Sequence, residues 1–172
     1  IQSDGKIVVA GSTDAWANWD FIVRRYNPNG SVEMGRVTDF GDDEFGYAVA
    51  IQSDGQIVVA GRRSAPGLSD FALARFNADG SGIDGLDNTF GTGGKVTTDF
   101  VGSSNDLGFS MAIQGDGKIV VAGYSDAGGN LNFALARYHG LSATGTPGSL
   151  DTTSFGTFGV GGGVITGFGA FG

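Results

Sequence analysis

The chain contains no cysteine, so it can form neither a disulfide framework nor a thiolate metal site. It has a single histidine, His139, and no serine in a Gly-x-Ser-x-Gly nucleophile elbow. A serine or cysteine triad therefore lacks its usual residues, and we predict that the protein is not an enzyme. His139 follows a predicted strand, and we interpret it as a surface turn residue in preference to a general base.

Basic residues are scarce: 10 Lys and Arg stand against 18 Asp and Glu, which gives a net charge of −8. Nucleic acids and anionic membranes attract clustered Lys and Arg, so this balance argues against both as partners. No apolar run reaches the ~18 residues that span a bilayer. Because helical periodicity is absent as well, we expect neither a membrane span nor an α-helix.

Proline is also rare, with 3 residues, whereas glycine accounts for 33 of 172. The glycines lie between short apolar runs, a pattern typical of an all-β protein with many tight turns. They follow no strict Gly-x-y period, which excludes a collagen.

One segment, Ile-Gln-x-Asp-Gly-x-Ile-Val-Val-Ala-Gly, occurs three times, at residues 1–11, 51–61 and 113–123. Repetition at such a period predicts a modular array of supersecondary units. We divide the chain into three repeats, 1–50, 51–112 and 113–172. The first repeat lacks the strand that precedes the motif elsewhere, so we expect the chain to be part of a longer polypeptide.

The second copy is the most complete, with predicted strands at Tyr47–Gln52, Gln56–Gly61, Asp70–Asn77 and Lys95–Phe100. Asp54-Gly55 is a strong hairpin signal, because type I′ turns need positive φ. We predict a variable loop at Arg62–Ser69. Four short antiparallel strands in about 60 residues match a blade of a β-propeller. The predicted fold is therefore all-β, with about three four-stranded blades that belong to a larger propeller or assembly.

The two middle strands of the repeat differ in pattern. Ile57–Ala60 is continuously apolar, which indicates a strand buried on both faces. The next strand alternates, with Phe71, Leu73 and Arg75 on one face and alanines on the other. The alanine face would allow a neighbouring sheet to approach closely.

Three motifs carry a resemblance to a known family: Asp-Gly-Lys-Ile-Val-Val-Ala-Gly, Asn-Phe-Ala-Leu-Ala-Arg-Tyr and Ser-Leu-Asp-Thr-Thr-Ser-Phe-Gly. The chain resembles the delta-60 repeat, an uncharacterised β-propeller-type repeat of large secreted or surface-attached bacterial proteins, in all three copies. The resemblance implies a propeller and an extracellular location, and it implies no activity. The first copy lacks the Asp-x-x-Phe-Gly segment, so we expect its outer strand to be short or irregular.

Arg25, Arg75 and Arg137 recur at one position of the alternating strand. We interpret them as structural, partly buried and satisfied by carbonyl groups or by an acid such as Asp39 or Asp99, since the planar guanidinium suits such pairing. A ring of arginines that presents to an anion is the alternative.

The acidic residues of the hairpin turns also recur, and we interpret them and their glycines as structural turn residues in preference to calcium ligands. These turn residues are Asp4, Gly5, Asp54, Gly55, Asp116 and Gly117. Better calcium candidates are the run Asp42, Asp43 and Glu44 and the loop of Asp126, Asn130 and Asn132. Neither matches an EF-hand, and a solvated acidic loop is the favoured interpretation. Because no dense carboxylate loop recurs in every copy, we expect no cofactor and a fold that does not require metal.

Two tryptophans, Trp16 and Trp19, flank the first variable loop and are candidates for stacking on a sugar. Packing against the neighbouring blade is the favoured alternative. Asn29-Gly30-Ser31 is a formal glycosylation sequon and also an ordinary tight turn.

The sequence as a whole favours a non-enzymatic extracellular structural or interaction protein. Propellers close with about four to eight blades, so we expect flanking repeats, or further copies of the chain, to associate head to tail in a ring or a filament. A propeller that binds a glycan or peptide through its variable loops is the alternative function.

Overall fold

The computed structural model describes residues 1–14, 17–141, 145–152 and 163–166. Eleven β-strands and two three-residue 3-10 turns, Ile83–Gly85 and Ala127–Gly129, are the regular elements of this part of the chain. No α-helix occurs within these ranges, and the strands form three antiparallel sheets. The predicted all-β fold is confirmed.

Each sheet is one blade, and its strands follow one another in chain order. Blade 1 has three strands, β1 (Ile7–Thr13), β2 (Asp20–Tyr26) and β3 (Val32–Thr38). Blade 2 has four, β4 (Asp43–Ile51), β5 (Ile57–Ala65), β6 (Leu68–Phe76) and β7 (Lys95–Thr98). Blade 3 has four, β8 (Asp106–Ile113), β9 (Ile119–Ser125), β10 (Asn132–Tyr138) and β11 (Gly163–Thr166). Each meander places the repeated Ile-Val-Val-Ala-Gly segment in the strand that follows the Asp-Gly turn.

Two strand predictions need correction. The residues between Arg62 and Ser69 are not a loop, because β5 and β6 continue until Ala65 pairs with Leu68 across a two-residue turn. Gly67 of that turn has φ +89°, which glycine adopts without strain. The outer strand of blade 1 is not short, because β3 has seven residues, but it is irregular, as the prediction also allowed, with one register shift opposite β2.

The Asp-Gly turns have the same geometry in all three repeats. Gly5, Gly55 and Gly117 have φ of +83°, +85° and +84°, the left-handed region that favours glycine. The aspartate before each glycine accepts a hydrogen bond from the amide two residues later, at 3.1–3.2 Å. This bond closes an Asx turn, so the geometry accounts for both residues of the pair without a bound ion. Asn29 does the same at the sequon, where it accepts the Ser31 amide at 3.0 Å.

Two hydrophobic clusters join the three sheets. The first cluster lies between blades 1 and 2, where Phe21 and Val23 meet Ala72 and Ala74. The second lies between blades 2 and 3, where Phe71 and Leu73 of blade 2 meet the equivalent alanines of blade 3. In blades 2 and 3 the alanine face thus packs on the large-residue face of the blade before it, and small side chains permit this close approach.

The two junctions are not identical in detail. Tyr138 of blade 3 is fully buried and donates its hydroxyl hydrogen to Thr98 Oγ1 of blade 2 at 2.8 Å. The equivalent residue of blade 2 is Phe76, and the equivalent threonine of blade 1, Thr38, has a buried Oγ1 without a partner among the described residues. The blade 1–2 junction therefore leaves a polar atom unsatisfied that the blade 2–3 junction satisfies.

Candidate functional site

Arg75 lies at the junction between blades 2 and 3. Its guanidinium is about 2% exposed and contacts Asp87 at 2.7 Å within its own blade. It also donates to the carbonyl oxygen of Gly140 in blade 3 and lies 4.6 Å above the ring of Phe90. Burial lowers the pKa of Arg75, and the charge of Asp87 opposes this. One side chain thus links two blades.

The other two recurring arginines also pair with acids. Arg25 contacts Glu33 at 2.6 Å and donates to the carbonyl oxygen of Ala78 in the next blade. Arg137 contacts the buried Asp151 at 2.8 Å. The partners suggested from the sequence, Asp39 and Asp99, are wrong, because the acids that pair with Arg75 and Arg137 lie in the segment that follows the arginine strand. Asp39 and Asp99 belong instead to two acidic clusters, one at each blade junction.

The first acidic cluster spans the junction of blades 1 and 2. Carboxylate oxygens of Asp20, Asp39 and Glu44 lie within 4.8 Å of one another. Asp20 and Glu44 are fully buried, whereas Asp39 is exposed. Burial, together with the charges of Asp39 and Asp43, raises the pKa of Asp20. Burial raises the pKa of Glu44 to about 7, although amide hydrogen bonds from Phe40 and Asp42 oppose the change.

A second cluster lies in the same place between blades 2 and 3. Asp70, Asp99 and Asp106 correspond by position to the three acids of the first cluster, and their carboxylates also lie within 4.8 Å of one another. Burial, then the charges of Asp99 and Asp106, raises the pKa of Asp70, and Arg63 opposes this. The sequence analysis considered only contiguous carboxylate loops, and no such loop recurs among the described residues. The group recurs, but three separate segments contribute to it, so no single loop reveals it.

The calcium candidates chosen from the sequence are divided by the fold. Of the run 42–44, only Glu44 enters a cluster: Asp42 pairs with Arg63, and Asp43 accepts the amide hydrogen of Trp19 at 3.0 Å. In the second candidate loop, Asp126 accepts hydrogen bonds from the backbone and side chain of Asn105. Asn132 donates to the carbonyl oxygens of residues 127 and 130, so this loop is held by its own hydrogen bonds.

The outward faces of the two end blades expose apolar residues that are buried elsewhere. Ile57 and Val59 of blade 2 are fully buried against blade 1. Their counterparts in blade 1, Ile7 and Val9, belong to the same motif but are 40% and 48% exposed. On the opposite end of the stack, Phe133 of blade 3 is 44% exposed, although its equivalent Phe71 is fully buried. Identical positions thus differ only in whether a neighbouring blade covers them.

Exposed aromatic residues also form a row across two blades. A register shift in β4 and another in β8 leave Tyr47 and Phe109 outside the ladder. Both are exposed, and their ring centroids lie 5.4 Å apart, with Tyr124 5.6 Å beyond Phe109. The sign of this row in the sequence is the repeated pair of a glycine and an aromatic residue at 46–47 and 108–109, which is typical of such bulges. Trp19 packs on Phe45 of blade 2 at 5.9 Å, and Trp16 lies outside the described residues.

His139 is not the surface residue that the sequence suggested. Its side chain is about 12% exposed, and Nε2 lies 3.7 Å from Asp151 Oδ1. The same carboxylate group contacts Arg137 and Lys118. A groove of about 610 Å³ lies elsewhere, beside β7 and residues 146–149, and no histidine or acid is among the described residues that line it.

The repeats match a family model described as "Domain of unknown function (DUF5122) beta-propeller" over residues 2–35, 52–90 and 114–140. These segments together cover more than half of the chain. The chain belongs to this family. No curated protein matches the sequence of this DUF5122 propeller. In the part of the chain that the structure describes, no helix is long and apolar enough to cross a membrane.

Proposed function

We propose that this DUF5122 propeller is a non-enzymatic structural and interaction module outside the cell, and that its repeats are of the delta-60 type. Its outward blade faces bind further blades of the same kind, either flanking repeats or a second copy of the chain. The proposal rests mainly on one observation: Ile7 and Val9 are 40% and 48% exposed, while the same motif residues in blade 2 are fully buried.

The occupant of these faces follows from the two junctions within the chain. At both junctions, the face that carries a large phenylalanine, Phe21 of β2 or Phe71 of β6, covers the alanine face of the next blade. By the same order of stacking, the open face of blade 3, with Phe133, would meet the open face of blade 1, where Ile7 and Val9 lie beside Ile22 and Arg24 in the positions of the alanines. The two patches differ, so a copy of the chain can join another head to tail, which gives a ring where the rotation closes and a filament where it does not.

The open strand edge of blade 1 supports the same association. β1 pairs with β2 on one side, and no described strand pairs with its other edge. In blades 2 and 3 the equivalent edge pairs with β4 and β8. An unpaired edge is a template for a strand from another segment or chain.

Sedimentation equilibrium of the 172-residue chain tests the proposal. We expect association at micromolar concentration. Val9→Glu and Phe133→Glu are each expected to raise the dissociation constant at least about 100-fold, because each buries an unpaired charge. A mixture of the two variants is expected to stop at dimers, because each variant retains the face that the other has lost.

Val101→Glu is the matched control, since Val101 is 54% exposed and lies between β7 and β8, outside the strands that form the two open faces. Circular dichroism of all variants verifies that they fold. A wild-type chain that stays monomeric contradicts the proposal. A Phe133→Glu dimer as tight as the wild type shows an isologous contact in place of the head-to-tail contact.

The aromatic row favours a second function, binding of a glycan. Tyr47 and Phe109 are 43% and 45% exposed and present adjacent ring faces, which provide an apolar surface for sugar rings. We expect calorimetric titration with cellohexaose and chitohexaose to detect binding of one of them, and Phe109→Ala to weaken it at least tenfold. Leu131→Ala, at a residue that is 71% exposed elsewhere, is the control. Absence of heat with both oligosaccharides contradicts this function.

A further inference from the structure

The two acidic clusters occupy equivalent positions at successive blade junctions. In each, one carboxylate comes from the N-terminal part of β2 or β6, one from the residue after the outer strand β3 or β7, and one from the first strand of the next blade, β4 or β8. The first cluster contains Asp20, Asp39 and Glu44, and the second contains Asp70, Asp99 and Asp106. A cation in either place would contact both blades of its junction.

The strongest indication of a ligand is Asp20. It is fully buried, and neither of its carboxylate oxygens has a hydrogen-bond partner among the described residues. An unpaired buried carboxylate is costly, and nearby acids add repulsion because Asp39 and Glu44 are within 4.8 Å. No Lys or Arg contacts any of these three carboxylates in an ion pair within the described residues, which leaves the charge of the cluster without a basic partner.

The other buried acids are oriented by the backbone. Glu44 Oε2 accepts the amide hydrogen of Phe40 at 3.0 Å, and Asp106 Oδ2 accepts that of Phe100 at 2.8 Å. Phe40 and Phe100 each follow a Thr-Asp pair. Each amide therefore holds the carboxylate of the next blade beside the aspartate of that pair, Asp39 or Asp99. Preorganised carboxylates of this kind suit a hard cation, since little ordering remains when the ion binds.

We propose that each junction cluster binds one divalent cation, and that the ion is Ca²⁺. Three carboxylates supply three to six oxygens, and the exposed Asp39 or Asp99 leaves room for water to complete the six to eight oxygens that Ca²⁺ takes. Mg²⁺ fits less well, because it requires near-ideal octahedral geometry and retains its waters. The ion ties the outer strand of one blade to the first strand of the next.

The third repeat changes the same positions. Asn132 stands where the other repeats have Asp20 and Asp70, and the Thr-Asp-Phe segment is replaced by Thr-Gly-Phe at residues 166–168. In the third repeat, two of the three acids of the cluster are thus replaced by other residues. We therefore assign two calcium sites to the chain.

Calorimetric titration of the chelator-treated chain with CaCl₂ tests the assignment, and thermal unfolding provides the second readout. We expect two bound ions and a rise in melting temperature of about 10–20 °C at a calcium concentration about 100 times the dissociation constant. Asp20→Asn is expected to remove one ion, and Asp106→Asn the other. MgCl₂ at the same concentration is expected to give a smaller rise.

Asp84→Asn is the matched control, because Asp84 is exposed and belongs to neither cluster. One ion that is lost in Asp20→Asn and retained in Asp106→Asn supports the first site and overturns the second. No calcium binding, or the same binding and thermal shift in all three variants, overturns the proposal. The Phe133→Glu chain, which has both clusters but one altered outer face, shows whether calcium binding is independent of association.

Discussion

Replacing Arg75 with alanine is expected to lower the free energy of unfolding by about 3–5 kcal/mol, because it leaves a buried carboxylate without its partner. Asp87 is about 5% exposed and lies 2.7 Å from the guanidinium. Burial alone would raise the pKa of Asp87, but hydrogen bonds from Thr89 and the charge of Arg75 outweigh it and lower the pKa. The loss also removes the bond to Gly140, which crosses the blade junction.

Urea unfolding followed by tryptophan fluorescence measures this effect. Arg24→Ala is the control: Arg24 lies on β2 of blade 1 and is exposed, so its loss is expected to change stability by less than about 0.5 kcal/mol. The double variant Arg75→Met with Asp87→Leu is expected to recover much of the loss, because it removes both buried charges. A single variant as stable as the wild type would show that Arg75 is not part of the junction in solution.

The equivalent arginine of blade 1 is expected to matter less. Arg25 pairs with Glu33, whose side chain is about 30% exposed and also contacts Lys6. Water and Lys6 can therefore compensate Glu33 when Arg25 is lost, which is not possible at the buried Asp87. One sequence position thus carries different energies in different repeats, according to the exposure of the acid.

Much of the fold follows from local sequence patterns. The Asp-Gly turns, the alternation of Phe71 and Leu73 with alanines, and the doubly buried Ile57–Ala60 segment all depend on neighbouring residues of one strand or hairpin. The structure contains each of them. The structure between Arg62 and Ser69 was harder to predict from the sequence. Polar side chains and a Pro-Gly pair suggest a loop there, although the turn occupies only two residues.

The junction clusters could not be predicted in the same way. Asp20 is separated from Glu44 by 24 residues, and the two come together only when blade 2 packs on blade 1. The sequence therefore indicated the contiguous run 42–44 as a calcium candidate. Two of these three acids instead bond to residues outside the cluster. His139 was misjudged for a related reason, because its burial depends on Asp151, which lies beyond an insertion in the chain.

Features that recur between repeats meet at the blade junctions. The hydrophobic clusters, the arginines that reach the next blade and the acidic clusters all lie where one sheet faces another. A sequence repeated for catalysis would place its recurring polar residues in one cleft, whereas these are distributed along the stack. The repeat is thus organised around joining blades, which is consistent with the structural role proposed above.

Gly61→Ala is expected to be the second strongly destabilising substitution, with a loss of about 3 kcal/mol, at the upper end of the range for overpacking. A Cβ on Gly61 would overlap the carbonyl oxygen of Phe45 and lie 3.1 Å from Gly46 Cα. Both atoms belong to the backbone of β4 at its bulge, so no side-chain rotation relieves the contact. Separation of β4 from β5 would follow, and thermal unfolding is expected to show a decrease of about 6–12 °C.

The repeats supply matched comparisons for this position. A Cβ on Gly123 would overlap the carbonyl oxygen of Leu107 in the same way, so Gly123→Ala is expected to be similarly harmful. Gly11 occupies the position in β1, whose edge has no described strand beside it, and its nearest atom would be Ile22 Cγ2 at 4.0 Å. Gly11→Ala is therefore expected to leave the stability of the monomer unchanged. If a further strand adds to the free edge of β1, the same substitution is expected to weaken association. The new methyl group would then overlap the backbone of that strand, as a methyl group on Gly61 would overlap β4. Equal losses for Gly11→Ala and Gly61→Ala in the monomeric Val9→Glu background would refute the close-approach explanation.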